Sequence, residues 1–594
     1  MQSAETVLGV LRERGRKGLP LERLYRQLFN PALYLLAYGR LYSNKGTMTP
    51  GVTGETVDGM SLAKIERIID ALRHERYRWR PVKRVYIPKK SGKLRPLGLP
   101  TWSDKLVAEV VRMLLDAYYD VQFSDRSHGF RPGRGCHTAL CEVVDVWKGT
   151  HWFVEGDISD CFGSFDHEIM LSTLAEKIHD NRFLRLLGAM LQAGYLEDWK
   201  WGVTLSGVPQ GGPASPILSN IYLDRLDNFV VTRLLPDYNR GKDRAPNPAY
   251  RQVDREIARA RRRGDRPAVR RLRQQRRQYP SRDPGDPGYR RLRYVRYCDD
   301  FLLGFSGPKA EAHEITQRIR QFLHDELKLE LSAEKTLVTH AQTGRARFLG
   351  YHVVAQHSNT KITRGRRSVN GVIGLRVPPD VIEAKCALYT QRGKPASRPQ
   401  MLHDDDYTIV AKYQAEYRGV VQYYLLAGDV CRFEKLRWVM EISMLKTLAN
   451  KYRSTVNTMV RKYKTTVQTD YGPRTCFQVT VQRSGRKPLV ARFGGIPLHR
   501  KPTATLDDRA PTLNTTRGNE LVRRLVAGGC EMCGATDNVE VHHVRHLADL
   551  DKPGRREKPA WARLMAMRKR KTLVVCRPCH EAIHAGRPTT PSPA

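Results

Sequence analysis

Acidic residues are scarce in this chain: 61 Asp and Glu stand against 102 Lys and Arg, a formal net charge of +41 over 594 residues. That surplus points to a polyanionic partner, nucleic acid first and an anionic membrane second. Long apolar runs are also missing. None approaches the ~20 residues that cross a bilayer, and MQSAETVLGVLRERGRKGLP at the start lacks the apolar core of a secretory signal. Glu5 and Glu13 weaken a transit-peptide reading, so a soluble protein in a bacterial-type cytoplasm is expected, with an organelle left open. Eleven cysteines do not imply disulfides in such a compartment. No tandem repeat is visible. What is present is ample apolar content, 40% of the chain, and enough length for several domains.

Composition and periodicity divide the chain into five sections. Residues 1–80 are an N-terminal extension, mostly helical, with SLAKIERIIDAL at helical spacing and a loop-like MTPGVTGETVDGM before it. Residues 81–360 are mixed α/β: VKRVYIPK alternates like a strand, and GKLRPLGLP carries the Gly and Pro of a turn. Within them, 237–290 are a basic insertion with eleven arginines between Arg255 and Arg277, expected as a helix pair broken near Gly264 and Pro267. A solvated basic face and a phosphate-contacting surface both fit it; the overall charge favours the second. Residues 361–474 return to helical periodicity, with aromatics that fit core packing better than base stacking. Residues 475–520 look like a connector with short strands, and 521–594 hold a compact Cys/His module.

The stretch YVRYCDDFLLGF, residues 294–305, places Asp299 and Asp300 side by side in an apolar run. An exposed turn is one reading; a divalent-metal site that cancels their repulsion is the other. The flanks read as strands, so the pair falls at a hairpin tip. WFVEGDISDCFGSFDH adds Asp157 where another strand ends. Three carboxylates from two strands suit a pair of Mg²⁺ ions, which can activate a 3′-hydroxyl and stabilise departing pyrophosphate. Lys89 and Arg95 flank a tight turn suited to a triphosphate. Phe162 is placed to press on a sugar and exclude a 2′-hydroxyl. The glycines of SGVPQGGPASPILSNIYLDRLD allow close backbone approach.

Taken in order, IPKKSGKLRPLGLP, GFRPGRGCHTAL, VEGDISDCF, GVPQGGPASPILSNIYLDRLD, YVRYCDDFLLGF, LELSAEKTLVTH and ARFLGYHVV resemble the blocks of reverse transcriptases. The N-terminal NPALYLLAYGRLYSNKGTMTPGVTGETVDGM, with EYRGVVQYYLLA and LKTLANKYR further on, resembles group II intron-encoded proteins. The resemblance implies a multidomain α/β protein: a right-hand polymerase of fingers, palm and α-helical thumb/maturase, then a small zinc-stapled ββα-metal HNH domain. It implies that Asp157, Asp299 and Asp300 bind metal, that Lys89 and Arg95 touch the triphosphate, that Phe162 is the sugar gate and that Gln210 lies by the nascent base pair. Lys335 is a weaker candidate for supporting that site. Cys298 departs from the Ala usual in the family; it is small enough to fit, so activity is expected to survive.

In the C-terminal module, Cys530, Cys533, Cys576 and Cys579 form two C-x-x-C pairs, which fit a structural Zn²⁺. His542 and His543 end an alternating run and should point to opposite faces; His580 and His584 share a helical face. This stretch looks like an HNH endonuclease. By that resemblance His543 is the general base, and His542, His580 and His584 hold a catalytic divalent ion, Mg²⁺ or Mn²⁺. Thr572 stands where Asn is frequent, and Arg568, Lys569, Arg570 and Lys571 are expected on DNA phosphates. The joint expectation is an RNA-directed DNA polymerase, maturase and endonuclease acting with intron RNA, target DNA and dNTPs in a mobile ribonucleoprotein. The alternative is an RNA-binding splicing factor with idle enzyme sites.

Overall fold

The computed structural model describes residues 2–587 except 45, 89–91 (apart from which 92 is described), 93, 198–199, 203, 205, 209–210, 359, 364–365, 368, 484, 507–518, 548–549 and 551–557. The extension is helical, with Ala4–Arg16, Pro31–Leu41 and Leu62–Arg73. Each helix starts on a side-chain cap, from Ser3, Asn30 and Ser61 respectively, which satisfies a backbone N–H that the helix itself leaves free. They pack around Trp102–Tyr119, a helix apolar on nearly every side and buried accordingly.

At the centre lies a four-stranded antiparallel sheet, ordered Arg291–Tyr297, Asp300–Ser306, Trp152–Asp157, Leu337–His340. Alternate side chains enter two different cores. Val154, Leu303 and Tyr294 join the core that holds the extension and helices Ser215–Phe229 and Lys309–Leu327. Phe153, Leu302 and Val295 join the core of the C-terminal half. Burial on both faces explains why FLLGF shows no alternation of polar and apolar residues.

A second sheet runs Leu94–Leu99, Val82–Pro88, Tyr195–Glu197, Lys200–Gly202. Here GKLRPLGLP corrects the turn reading, because most of it is a strand. Pro96, opposite Tyr86, is tolerated since this strand lies at the sheet edge and its missing N–H breaks no ladder on the outer side. The insertion is a helix pair, Pro248–Arg262 and Arg266–Arg276. The break falls at Gly264, whose φ of +75° is open to glycine at no steric cost.

In the C-terminal half, helices Asp406–Tyr423 and Glu434–Lys451 bury Tyr413, Tyr417 and Met444. The strands foreseen after residue 475 do more than connect. Lys464–Thr469, Gly472–Arg483 and Arg486–Gly494 form a meander whose Phe477, Val479 and Phe493 share that core. The last module pairs Val539–His543 with Thr572–Cys576 and follows with helix Arg577–His584. Its sheet has a third strand from the other end of the chain: Met60 and Ser61 pair with Val541 and Glu540. Among the described residues no helix is long and apolar enough to cross a membrane.

Candidate active sites

The hairpin bearing the Asp pair is closed by a two-residue turn, Cys298 and Asp299, because Tyr297 and Asp300 are directly paired. Cys298 takes the left-handed conformation, φ +57°, which two-residue hairpins require at the first turn position. Gly129 makes room for it: a Cβ there would lie 2.4 Å from the Cys298 sulfur. Cys298 itself is buried, and burial pushes its thiol pKa up, away from the reactive thiolate.

Asp157 is the cross-strand partner of Asp300, and Asp299 is in the adjoining turn, so the three predicted carboxylates converge. Lys335 reaches the group, its Nζ 2.7 Å from Asp157 Oδ2. Burial first, then Asp299 and Asp157, raise the Asp300 pKa to about 7. Burial and Asp157 raise Asp299 as well, against the opposing pull of Lys335 and Arg95. Arg95, on the edge strand, is thus close enough to be felt at the hairpin tip. Phe162 is half-buried against Phe165, ring centroids 6.0 Å apart, in the short helix Cys161–Ser164 just after Asp157. Lys89 and Gln210 lie outside the described residues.

Crowded like charges cost folding energy, and the sign of that cost is testable. A carboxyl raised in the folded state destabilises it when charged. The penalty is absent below the unfolded pKa of about 3.9 and complete above the folded value. In EDTA at pH 8, Asp300→Asn should therefore melt above the wild type, and the gap should close toward pH 4. Equal melting temperatures at pH 8 would refute this.

Sequence reading missed what holds the hairpin. Arg296, two residues before the turn, is completely buried. It donates to Asp227 through Nε (2.8 Å) and Nη2 (2.5 Å), to the Cys298 carbonyl (3.0 Å) and to Ser127 Oγ (2.9 Å). Tyr294 donates to the same Asp227 oxygen at 2.8 Å. The available signal was an Arg at an inward position of its strand, together with the second Asp in YLDRLD.

In the C-terminal module the four cysteine sulfurs come together within 4.8 Å of one another. A backbone N–H donates to Cys530 Sγ from Cys533, and although burial opposes it, such bonds lower the Cys530 pKa to about 7. A thiolate-favouring knuckle of this kind fits a soft, tetrahedral ion. The second cluster holds the three predicted histidines, His542, His580 and His584, and also Asp58, all with ligand atoms within 4.8 Å. His580 Nδ1 is 2.8 Å from Glu540 Oε2, which turns its Nε2 toward the cluster. Asp58 is absent from the sequence reading, which took its segment for a loop.

His543 is not brought to this cluster. The strand sends it to the opposite face, where its Nε2 is 3.0 Å from the Tyr38 hydroxyl and it is buried between N-terminal aromatics. Burial lowers its pKa to about 3. This is the opposite-face placement expected from strand alternation, and it ties the module to the N-terminal extension. Thr572 is its cross-strand neighbour. Two of the four cations expected on DNA are engaged within the protein: Arg568 with Glu531 at 3.0 Å, and Arg570 with Glu520.

A carboxylate-bearing hairpin, in one chain with a four-cysteine module that carries a histidine cluster, defines a nucleic-acid polymerase joined to a metal-dependent nuclease. Three family models match the chain. Residues 87–353 match the family described as reverse transcriptase (RNA-dependent DNA polymerase), 382–488 the type II intron maturase, and 530–580 the AI2M/AI1M-like HNH endonuclease. The chain is 37% identical to the group II intron-encoded protein LtrA of Lactococcus lactis subsp. cremoris, over 94% of this chain and 95% of that one. It is 30% identical to a putative COX1/OXI3 intron 1 protein of Saccharomyces cerevisiae, over 94% of this chain and 68% of that one. It is also 33% identical to protein YkfC of Escherichia coli, over 57% and 85% respectively. The chain belongs to the group II intron-encoded proteins and combines reverse transcriptase, maturase and HNH endonuclease functions.

Proposed function

We propose that the two sites act in succession on one target: the nuclease nicks a DNA strand, and the polymerase extends the new 3′-end along intron RNA. The observation that carries the polymerase half is the pairing of Asp157 with Asp300, with Asp299 in the joining turn. These carboxylates would hold Mg²⁺ ions, which supply activation of the 3′-hydroxyl and charge for the leaving pyrophosphate. Arg95 and Lys89 bind the triphosphate of the incoming dNTP. Phe162 excludes a 2′-hydroxyl, and Gln210 contacts the nascent base pair. Lys335 offsets the charge of the carboxylates through Asp157.

In the nuclease half, Cys530, Cys533, Cys576 and Cys579 would hold structural Zn²⁺, and His542, His580 and His584 would hold a divalent ion, which would supply charge for the cleaved phosphate. His543, kept neutral by burial and positioned by Tyr38, is the candidate general base. Intron RNA is met by the exposed arginine face of Pro248–Arg262 and Arg266–Arg276 and by the adjoining cleft of about 940 Å³ lined by Arg244, Arg282 and Lys309. This reading extends to a cytoplasmic ribonucleoprotein that promotes splicing and retrohoming of its own intron.

Separated point mutants test it. With reconstituted ribonucleoprotein and a duplex target, His542→Ala should lose the nick but still extend a pre-nicked duplex. Asp299→Ala should nick and make no cDNA. Splicing retained by both, with neither reaction detectable in the wild type, would leave the splicing-factor alternative instead.

A further inference from the structure

Asp58 lies 522 residues from His580 in the chain, yet its carboxylate faces three imidazoles of the nuclease module. It is 2.8 Å from His584 Nε2, 3.3 Å from His580 Nε2 and 3.5 Å from His542 Nδ1. Its position is built from the backbone up. Gly59 N–H donates to the Val541 carbonyl at 3.0 Å, and Met60 and Ser61 continue as the third strand of the nuclease sheet. The His543 N–H donates to Asp58 Oδ1 at 2.7 Å, which pins the carboxylate itself. An apolar contact backs this seam: Val541 and Val574 of the nuclease sheet share a core with Met60, Tyr38 and Trp102.

One of the three histidines has no hydrogen-bond partner. His542 is only 6% exposed, and neither of its ring nitrogens has a hydrogen-bond partner among the described residues. Buried polar groups are normally satisfied, and an imidazole held this way is set up to coordinate an ion. His580 and His584 point Nε2 atoms at each other across 3.2 Å. With metal bonds of about 2.0–2.1 Å, ligand atoms around one ion sit at about that separation. Glu540 holds His580 in the tautomer that leaves Nε2 free to coordinate.

We propose that Asp58 is a fourth protein ligand of the nuclease metal, so that the N-terminal extension of the polymerase completes the nuclease site. Three imidazoles and a carboxylate suit Mn²⁺ or Zn²⁺ better than Mg²⁺, whose preference is for oxygen. Nicking then depends on the extension being docked, and the two enzymes on this chain are coupled through a shared site. The inference rests on the nuclease reading of the histidine cluster, and the test separates the two.

The test uses the full-length chain loaded with one equivalent of Zn²⁺ for the four cysteines and carrying Asp299→Ala, which removes the carboxylate site as a competitor for Mn²⁺. Mn²⁺ binding is followed by loss of the free-ion electron paramagnetic resonance signal. Asp58→Asn keeps the shape and the oxygen that accepts from His543, so it isolates the charge; Asp58→Ala removes both. Binding is expected to weaken at least ~10-fold in each, by an amount comparable to His584→Ala, in line with losses seen when metal sites are disturbed. Target nicking should fall in parallel and recover as Mn²⁺ is raised. Unchanged Mn²⁺ affinity in Asp58→Asn overturns the proposal, as does faster nicking, which would make Asp58 an occluding group. If Mn²⁺ binding weakens while His542→Ala nicks normally, the metal site stands and its assignment to nicking fails.

Discussion

Asp299→Ala is expected to cut primer extension on an RNA template by at least ~10³-fold, equivalent to about 4 kcal/mol of transition-state stabilisation. The size follows from position. Asp299 occupies the turn that joins Asp300 to its strand partner Tyr297, and Asp157 pairs with Asp300 from the neighbouring strand. Removing one carboxylate leaves two ligands where a pair of divalent ions needs bridging oxygens. The remaining structure has no reason to collapse, because the substitution relieves repulsion on a half-buried group. Loss of extension should therefore come with normal RNA binding and normal nicking. Single-turnover extension with saturating dNTP and Mg²⁺ makes the measurement. Extension above a tenth of the wild-type rate would remove Asp299 from the metal site.

The second large effect is on stability. Arg296→Ala should destabilise the central sheet by about 3–5 kcal/mol, the usual range when one partner of a buried ion pair is removed. Arg296 and Asp227 are both fully buried, and the guanidinium also ties down Ser127 and the Cys298 carbonyl. Its loss strands the Asp227 charge away from water. Asp227→Ala should cost a similar amount for the mirror-image reason. The double variant Arg296→Met/Asp227→Leu should recover much of the loss, since replacing a buried pair by apolar groups is far cheaper than breaking it. Urea titration followed by hydrogen exchange in Asp300–Ser306 reads all three. Additive losses in the double variant would show that the two residues act separately. Because Arg296 also holds the turn before Asp299, the single variants should lose extension even at temperatures where they remain folded.

The two predictions differ in how readily their residues were legible. Asp299 and Asp300 announce themselves because two adjacent carboxylates inside YVRYCDDFLLGF demand an explanation, and because strand, turn and strand are local in sequence. Arg296 sits in the same twelve residues, but its meaning depends on Asp227, which lies 69 residues earlier on a helix. Pattern reading assigns such an Arg to the surface by default, since a charge is rarely buried without a partner. The GKLRPLGLP stretch shows a related failure. Its Gly and Pro are turn formers by local preference, and only the edge position of the strand, a property of the whole sheet, makes them acceptable there.

The nuclease module divides in the same way. Two C-x-x-C pairs and histidines four apart on Arg577–His584 already imply two metal sites, since their spacing converges ligands whatever surrounds them. Alternation along Val539–His543 is also enough to send His542 and His543 to opposite faces. What each histidine meets on its face is not a local matter. His543 meets Tyr38, and His542 meets Asp58, because the strand Met60–Ser61 from the N-terminal extension joins the sheet there. Sequence by itself determined the chemistry on offer, for ligand spacing and turn residues act within a few positions. The tertiary structure alone decided which far-separated groups complete each site, because the contacts between them are made by sheet pairing and core packing that no short stretch encodes.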